Sequence, residues 1–331
     1  MDKEISKMPN VSNNHGIQRV RSLSTSDNSL LSHFQPGKNR FYIQLTPGEF
    51  HARFAEVNLD HVQLFTESFN LGTRIQATPD KRFLPFAAIT SNGTLGSFYG
   101  CDLPDKPFIQ ATGGEWDIQV SNQLQYVCSA FEREHFYIQY QRLTGQAFPK
   151  QWLSSRVACT SDSALTAYRI GLQRIIIILQ QNPILFRYPS ISKLLSDTAM
   201  TLTLKVLAPT LEKNEELKPF SKRSIGVRRV IEFLDANAHQ LPTIAELCQV
   251  ANLSERSLQY GFREMLGVTP IQYLRVVRLN GAHRDLIHAD HSSAKVVNIA
   301  LKWGFLELGR FAKEYKHFYN QLPSHTLKQG L

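Results

Sequence analysis

Two stretches in the last hundred residues of this chain carry the same apolar pattern. Ile244, Leu247, Cys248 and Leu253 are answered 52 positions later by Val296, Ile299, Ala300 and Phe305. Past a tight turn the spacing becomes 53, and Leu258, Phe262, Leu266 and Pro270 are answered by Phe311, Tyr315, Tyr319 and Pro323. Apolar residues at i, i+4 and i+8 mark one face of a helix. Each copy therefore reads as a short helix, a turn and a second helix with its own inward stripe.

The polar residues between these stripes agree with that reading. Thr243 caps the first short helix, Asn252 supplies a left-handed turn, Ser254 caps the second helix and Gly267 closes it. Upstream, Val227, Val230, Ile231 and Leu234 form the packing stripe of a leading helix. Pro270 opens a long helix to about His288, continuous enough to hold the two units at a fixed separation. In the second unit the turn falls at Gly304, and a helix runs from about Glu307 to Tyr319. The outward faces carry Arg256, Gln259, Tyr260 and Arg263 in the first unit, and Arg310, Lys313 and Lys316 in the second. Arg and Gln are suited to bidentate reading of guanine and adenine edges. Two helix-turn-helix units about fifty residues apart are a device for gripping one face of duplex DNA at two successive major grooves.

Charge is placed to match. Residues 222 to 331 hold 15 Lys+Arg against 9 Asp+Glu, while the first 221 hold 22 against 19. Most of the net +9 thus sits in the C-terminal third, as in a phosphate-binding module joined to a nearly neutral one. No apolar run approaches the roughly 18 residues that span a bilayer. The N-terminus lacks the apolar core of a secretory signal, so a cytoplasmic protein is expected. Cys101, Cys128, Cys159 and Cys248 form no CxxC pair and have no His at ligand spacing, which predicts core residues rather than disulfides or a metal site. His288 and His291 are an HxxH without further ligands, and no cofactor is implied.

The rest of the chain has a different texture. Residues 1–38 are rich in Ser and Asn without a sustained period and read as a flexible arm. From about 40 to 145 the period is two, with Phe50, Ala52 and Phe54, and again Trp116, Ile118 and Val120, alternating with polar residues. Turn chemistry stands at Thr46-Pro47-Gly48, Ser91-Asn92-Gly93 and Gly113-Gly114. This predicts a small antiparallel sheet, closed or nearly closed into a barrel. Helices follow from Asp162 or Ser163 to about Gln181, and from about Ser190 through Val206, packed on the sheet or shared with a dimer partner. The expected class is α+β: an N-terminal antiparallel sheet or barrel with two helices, then an all-α double helix-turn-helix domain. The expected boundaries are an effector-sensing and dimerisation domain over 39–208, a charged linker over 209–222 and a DNA-binding domain over 223–331. Phe86, Phe98, Tyr99 and Trp116 are candidate walls of an effector pocket.

The C-terminal pattern resembles the DNA-binding domain of the AraC/XylS family of bacterial transcription regulators. The second unit matches at Ile299-Ala300, Gly304-Phe305, Phe311, Tyr315, Tyr319 and Pro323-Ser324. The first matches at Ser254, Leu258, Phe262, Leu266-Gly267, Pro270 and Arg278-Leu279. Within the family, Leu279-Asn280, Leu322-Pro323-Ser324 with Leu327, and residues 47 to 50 are most similar to the group that includes the ethanolamine operon regulator. Three positions depart: Gly309 stands for the usual Ser, Asn320 for the usual Gly, and Thr326-Leu327 for Tyr-Arg. They soften the caps of the second unit, and Gly309 blunts its base reading.

The resemblance implies a transcription regulator, an activator in the first instance, whose N-terminal domain senses a small molecule. It implies double-stranded promoter DNA and RNA polymerase as partners, with a homodimer as one state. By position, Arg256, Gln259 and Tyr260 face bases in one groove while Arg310 and Lys313 serve the next. Lys295, Lys302 and His283 or Arg284 add phosphate contacts. Two alternatives compete with this reading. An alkyl-transfer repair enzyme fused to this module needs a reactive Cys in a Pro-Cys-His setting, and none of the four cysteines has one. A regulator working mainly through protein partners would bind DNA without sequence preference. No catalytic triad, phosphate loop or dinucleotide-binding motif is present in the sequence, so an enzyme is not expected.

Overall fold

The computed structural model describes residues 19–34, 39–78, 80–91, 96–98, 101–103, 107–110, 116–149, 156–158, 161–213, 221–240 and 242–329. It opens with β1 (Val20–Thr25), α1 (Asn28–Phe34), β2 (Arg40–Gln44), β3 (Ala52–Asn58) and β4 (Val62–Phe69). Next come β5 (Thr73–Ala77), β6 (Phe83–Ile89), β7 (Gly96–Phe98), β8 (Cys101–Asp102), β9 (Phe108–Gln110), β10 (Trp116–Val120) and β11 (Leu124–Glu132). Helix α2 (Arg133–Thr144), strand β12 (Arg156–Ala158) and helices α3 (Asp162–Gln181) and α4 (Pro189–Lys213) complete the N-terminal part.

The strands form two antiparallel sheets, one ordered β1-β3-β4-β11-β6-β9-β12 and the other β2-β5-β10-β7-β8. Alternation sorts the side chains of the larger sheet into two cores. On β4 and β11, Val62, Leu64, Val127 and Phe131 face a helical layer that includes Phe136, Tyr168, Leu172 and Ile176. Phe65, Phe69, Tyr126 and Cys128 face the smaller sheet, where Tyr42, Ile75, Phe98, Trp116 and Ile118 meet them. Both faces of the central strands are covered, so burying the side chains on each offsets the entropy of ordering the strands. Ser161 caps α3 by accepting a hydrogen bond from the Ala164 N–H, one of the otherwise unpaired donors of the first turn.

Two expectations change here. The described part of the predicted flexible arm is ordered: Val20 to Thr25 pair with Val57 to Ala52, and Leu31 of α1 is fully buried. The apolar residues of β1, Val20 and Leu23, stand three apart and so off a period of two, α1 is only seven residues long, and the stability of both comes from the β3 edge and the core they join. The predicted linker also starts late, since α4 continues through Pro209 to Lys213. The remaining predicted linker residues 214–220 lie outside the described residues.

The C-terminal part is helical: α5 (Lys222–Ala236), α6 (Ile244–Ala251), α7 (Glu255–Leu266), α8 (Pro270–His288), α9 (Val296–Lys302), α10 (Leu308–Tyr319) and α11 (Pro323–Gln329). One apolar core runs through both repeats, from Val227, Leu247, Leu258 and Phe262 to Ala300, Trp303, Phe311 and Tyr315. Among the described residues no helix is long and apolar enough to cross a membrane, and no cluster of His, Cys, Asp and Glu can hold a metal ion.

Candidate nucleic-acid interface

The repeat in sequence is a repeat in backbone conformation. Each unit needs a left-handed residue at its turn and another where its second helix ends. The first uses Asn252 (φ 52°) and then Gly267 (φ 68°); the second uses Gly304 (φ 75°) and then Asn320 (φ 57°). Asn and Gly are the residues that enter this region at least cost, and the two units use them in opposite order. Asn320 therefore fills its position without loss of the turn. The two units differ in their caps. Thr243 makes a reciprocal capping box with Glu246 at α6, and Ser254 accepts from the Ser257 N–H at α7. Their counterparts Lys295 and Glu307 make no side-chain cap.

Helix α8 joins the units without a break. Thr269 and Gln272 form a capping box at its start, with Pro270 at the first turn. Arg278, buried on this helix, donates from Nε to the Ala238 carbonyl at 2.6 Å and from Nη2 to that of Gln240, closing the end of α5. His283 is also buried here, its ring stacked on Tyr319 at 4.1 Å and its Nδ1 hydrogen-bonded to the Tyr315 hydroxyl. Burial pushes its pKa down to about 4. A phosphate contact by His283 is thereby excluded, because the ring faces the core. Arg284 beside it is exposed and lies over the Trp303 ring.

The outward residues are largely where the spacing puts them. Arg256 and Arg263 are exposed on α7, and Gln259 is half-buried. Tyr260 is 56% exposed, with the Arg223 guanidinium 4.6 Å above its ring. On α10, Lys313 and Lys316 are exposed, while Arg310 donates from Nε to Glu314 Oε1 at 2.9 Å. Arg275 of α8 reaches the same oxygen, so Glu314 draws charge away from this face. Lys302 is paired with Asp285 at 2.7 Å.

The smaller sheet docks against this domain through residues that alternation alone would assign to solvent. Arg74 of β5 donates to both carboxylate oxygens of Asp117 on β10, to Asp235 of α5 at 2.8 Å and to the Tyr273 hydroxyl at 2.6 Å. Asn280 of α8 brackets Gln44, accepting from its N–H and donating to its carbonyl, both at 3.0 Å. The Gly48 N–H donates to the Phe318 carbonyl at the end of α10 at 2.9 Å. Gln119 donates to the Met265 carbonyl at the end of α7. Strand β10 and the segment after β2 thus hold the C-terminal ends of the two second helices. A cavity of about 270 Å³ remains at this junction, lined by Tyr42 and Phe41 on one side and Asn280, Arg284 and Trp303 on the other.

Among the described residues the candidate effector walls are brought together only in part. Phe86 belongs to the helix-facing core, stacked on Phe136 at 5.4 Å, because even positions of β6 point away from the smaller sheet. Phe98 and Trp116 do meet between the sheets, edge to face at 5.4 Å. Tyr99 lies outside the described residues. Pattern reading missed the polar centre of this second core. Arg40 donates to fully buried Glu67 at 2.6 Å and to the Tyr126 hydroxyl, and the Tyr42 hydroxyl donates to Glu67 at 2.5 Å. The signal was available: Arg40 and Glu67 stand at inward positions of their strands. Two buried donors of this core, Arg40 Nε and Trp116 Nε1, have no hydrogen-bond partner among the described residues.

Comparison with known proteins decides the kinship. A family described as a helix-turn-helix domain matches residues 247–329. The XylDLEGF operon transcriptional activator 2 of Pseudomonas putida is 33% identical over 121 residues, spanning 37% of this chain and 77% of that one. The chain belongs to the AraC/XylS family. The probable thc operon regulatory protein of Rhodococcus erythropolis is 43% identical over 102 residues. That match spans 31% of each chain, so likeness to this relative covers less than a third of its length. Among solved structures, a probable AraC family regulator from Rhodopseudomonas palustris is 32% identical, covering 32% of this chain and 98% of that one, with a TM-score of 0.30. The family match falls on residues 247–329, where the doubled pattern lies.

Proposed function

We propose that the chain is a sequence-specific transcription regulator, in the first instance an activator, that binds promoter DNA through both helix-turn-helix units. The observation that carries this reading is the pairing of two units on one unbroken helix with exposed Arg256, half-buried Gln259 and exposed Lys313 on their outward faces. Arg256, Gln259 and Tyr260 read bases in one major groove, helped by Arg263. Lys313, Lys316 and Arg310 anchor on the backbone at the next groove, about 34 Å away. Enrichment of a random-sequence duplex library by the full chain tests this, and enrichment of one motif at physiological salt is the expected result.

The N-terminal part, with β1 and α1 added to the 39–208 unit, is read as the sensor of a small molecule. Trp116 Nε1 is a buried donor with no acceptor among the described residues, and a ligand that supplies one would recover the free energy of burying it. Tyr42 joins this core to the junction: its hydroxyl rests on Glu67 while the residue lines the cavity shared with the DNA-binding part. The exposed Ile170, Ile177 and Ile178 of α3 suit a second copy of the chain, and activation implies contact with RNA polymerase in the cytoplasm. Calorimetric titration of candidate effectors against the wild type and Trp116→Phe checks the sensor reading. Loss of binding in the variant is expected.

A further inference from the structure

The two second helices present different chemistry at the same place. With the spacing of 53, Arg256 of α7 corresponds to Gly309 of α10, Gln259 to Ala312, Tyr260 to Lys313 and Arg263 to Lys316. Arg256 and Gln259, the bidentate readers nearest the start of α7, thus have counterparts in the second unit whose side chains hold no hydrogen-bonding group. The one guanidinium near the start of α10, on Arg310, is held by Glu314. The tip of the second unit therefore has no arginine, asparagine or glutamine free for bidentate readout.

It has exposed leucines instead. Leu306 is the extra residue that lengthens the spacing from 52 to 53, and it is 72% exposed, while Leu308 at the first position of α10 is 38% exposed. Apart from its chain neighbours and the backbone of its own helix, no atom of the described residues lies within 4 Å of where a Cβ on Gly309 would stand, so the helix tip is open on that side. The flanks are cationic at Lys313 and Lys316. An apolar tip between phosphate-seeking flanks, at the end of the helix that enters the groove, fits one feature of the major groove. The C5-methyl group of thymine is the only apolar group a base pair displays there.

We infer that Leu306 and Leu308 read thymine methyl groups in the second major groove, so that this unit specifies sequence by apolar contact rather than by hydrogen bonds. Gly309 lets the tip approach the base edges without a side chain in the way. This rests on the DNA-binding reading above. The second unit then prefers T·A steps at one or two positions and tolerates G or C elsewhere.

The test uses the full chain and the duplex that it enriches from a random library. Each thymine in that duplex is replaced in turn by deoxyuridine, which removes the methyl and leaves every hydrogen-bonding group. Expected is a loss of about fourfold in affinity for at least one thymine in the groove footprinted by α10, the scale of one buried methyl. The same substitution has no effect on Leu306→Ser/Leu308→Ser, whose thermal unfolding midpoint stays at the wild-type value because both side chains are substantially exposed. Leu306→Ser alone, at the more exposed of the two sites, gives a partial loss. Equal response of wild type and variant to deoxyuridine, or no response at any thymine, overturns the inference and leaves DNA binding standing. Failure to enrich any sequence overturns both.

Discussion

Arg74 Nη1 donates to Asp235 Oδ2 at 2.8 Å, tying a strand of the N-terminal sheet to the leading helix of the DNA-binding part. The side chain is 2% exposed, and it also donates to Asp117 and to the Tyr273 hydroxyl. Its pKa is held up by those partners against burial, which acts in the other direction. Removing one member of such a set leaves the others buried without compensation, at a cost of about 3–5 kcal/mol. Arg74→Met is expected to destabilise the chain by that order and to separate the unfolding of the two parts in calorimetry. Retention of a single unfolding transition at the wild-type midpoint would show that this contact does not couple them.

Arg256→Ala is expected to relax preference at one or two base positions, at about 1–3 kcal/mol, with little change in salt dependence. Lys313→Ala is expected to weaken all sequences alike and to lower the salt slope by about one contact. Affinities of both variants for the enriched motif and for its single-base changes, across a salt series, distinguish these roles. A uniform loss for Arg256→Ala would make it a phosphate contact.

His283 gives the DNA-binding part a pH dependence. Its pKa falls from the ordinary 6.5 to about 4 because burial disfavours the imidazolium. The unfolded chain therefore binds the proton more readily, and stability is lost as pH falls from about 6.5 toward 4, by on the order of 3 kcal/mol. Asp27 opposes this slightly by favouring the charged ring. Denaturant midpoints at pH 7 and pH 4.5 are expected to differ in the wild type and to draw together in His283→Gln. An unchanged difference in the variant would assign the dependence to other groups.

The left-handed positions offer a backbone test. Asn252→Ala puts a Cβ into a conformation it resists and is expected to cost about 1–2 kcal/mol. Asn252→Gly is expected to be nearly neutral, matching Gly304 of the second unit. Thermal unfolding of the two variants measures the difference directly.

How much of this was legible in sequence follows from what each residue answers to. Leu258, Phe262 and Leu266 sit on one helix face whatever surrounds them, so the doubled units and the run from Pro270 to His288 could be read from spacing. Asp117 and Gln119 could not be placed, since alternation sends them to the outer face of a sheet without saying that another domain covers it. Arg40 and Glu67 were missed because a buried ion pair breaks the apolar rule at both positions and reads as two surface charges. Phe86 was misplaced for a related reason: a sheet covered on both faces makes every strand residue look like core, and the face is set by register. Leu306 was visible only as one residue too many in the second copy.

The central claim is that both units grip one duplex and that the chain reads its sequence. The most direct measurement is hydroxyl-radical footprinting of the full chain on the duplex it enriches. Protection of two regions one helical turn apart on the same face, present on that duplex and lost on random duplexes at physiological salt, is the result predicted. A single protected region, or equal affinity for random duplexes at physiological salt, would contradict it.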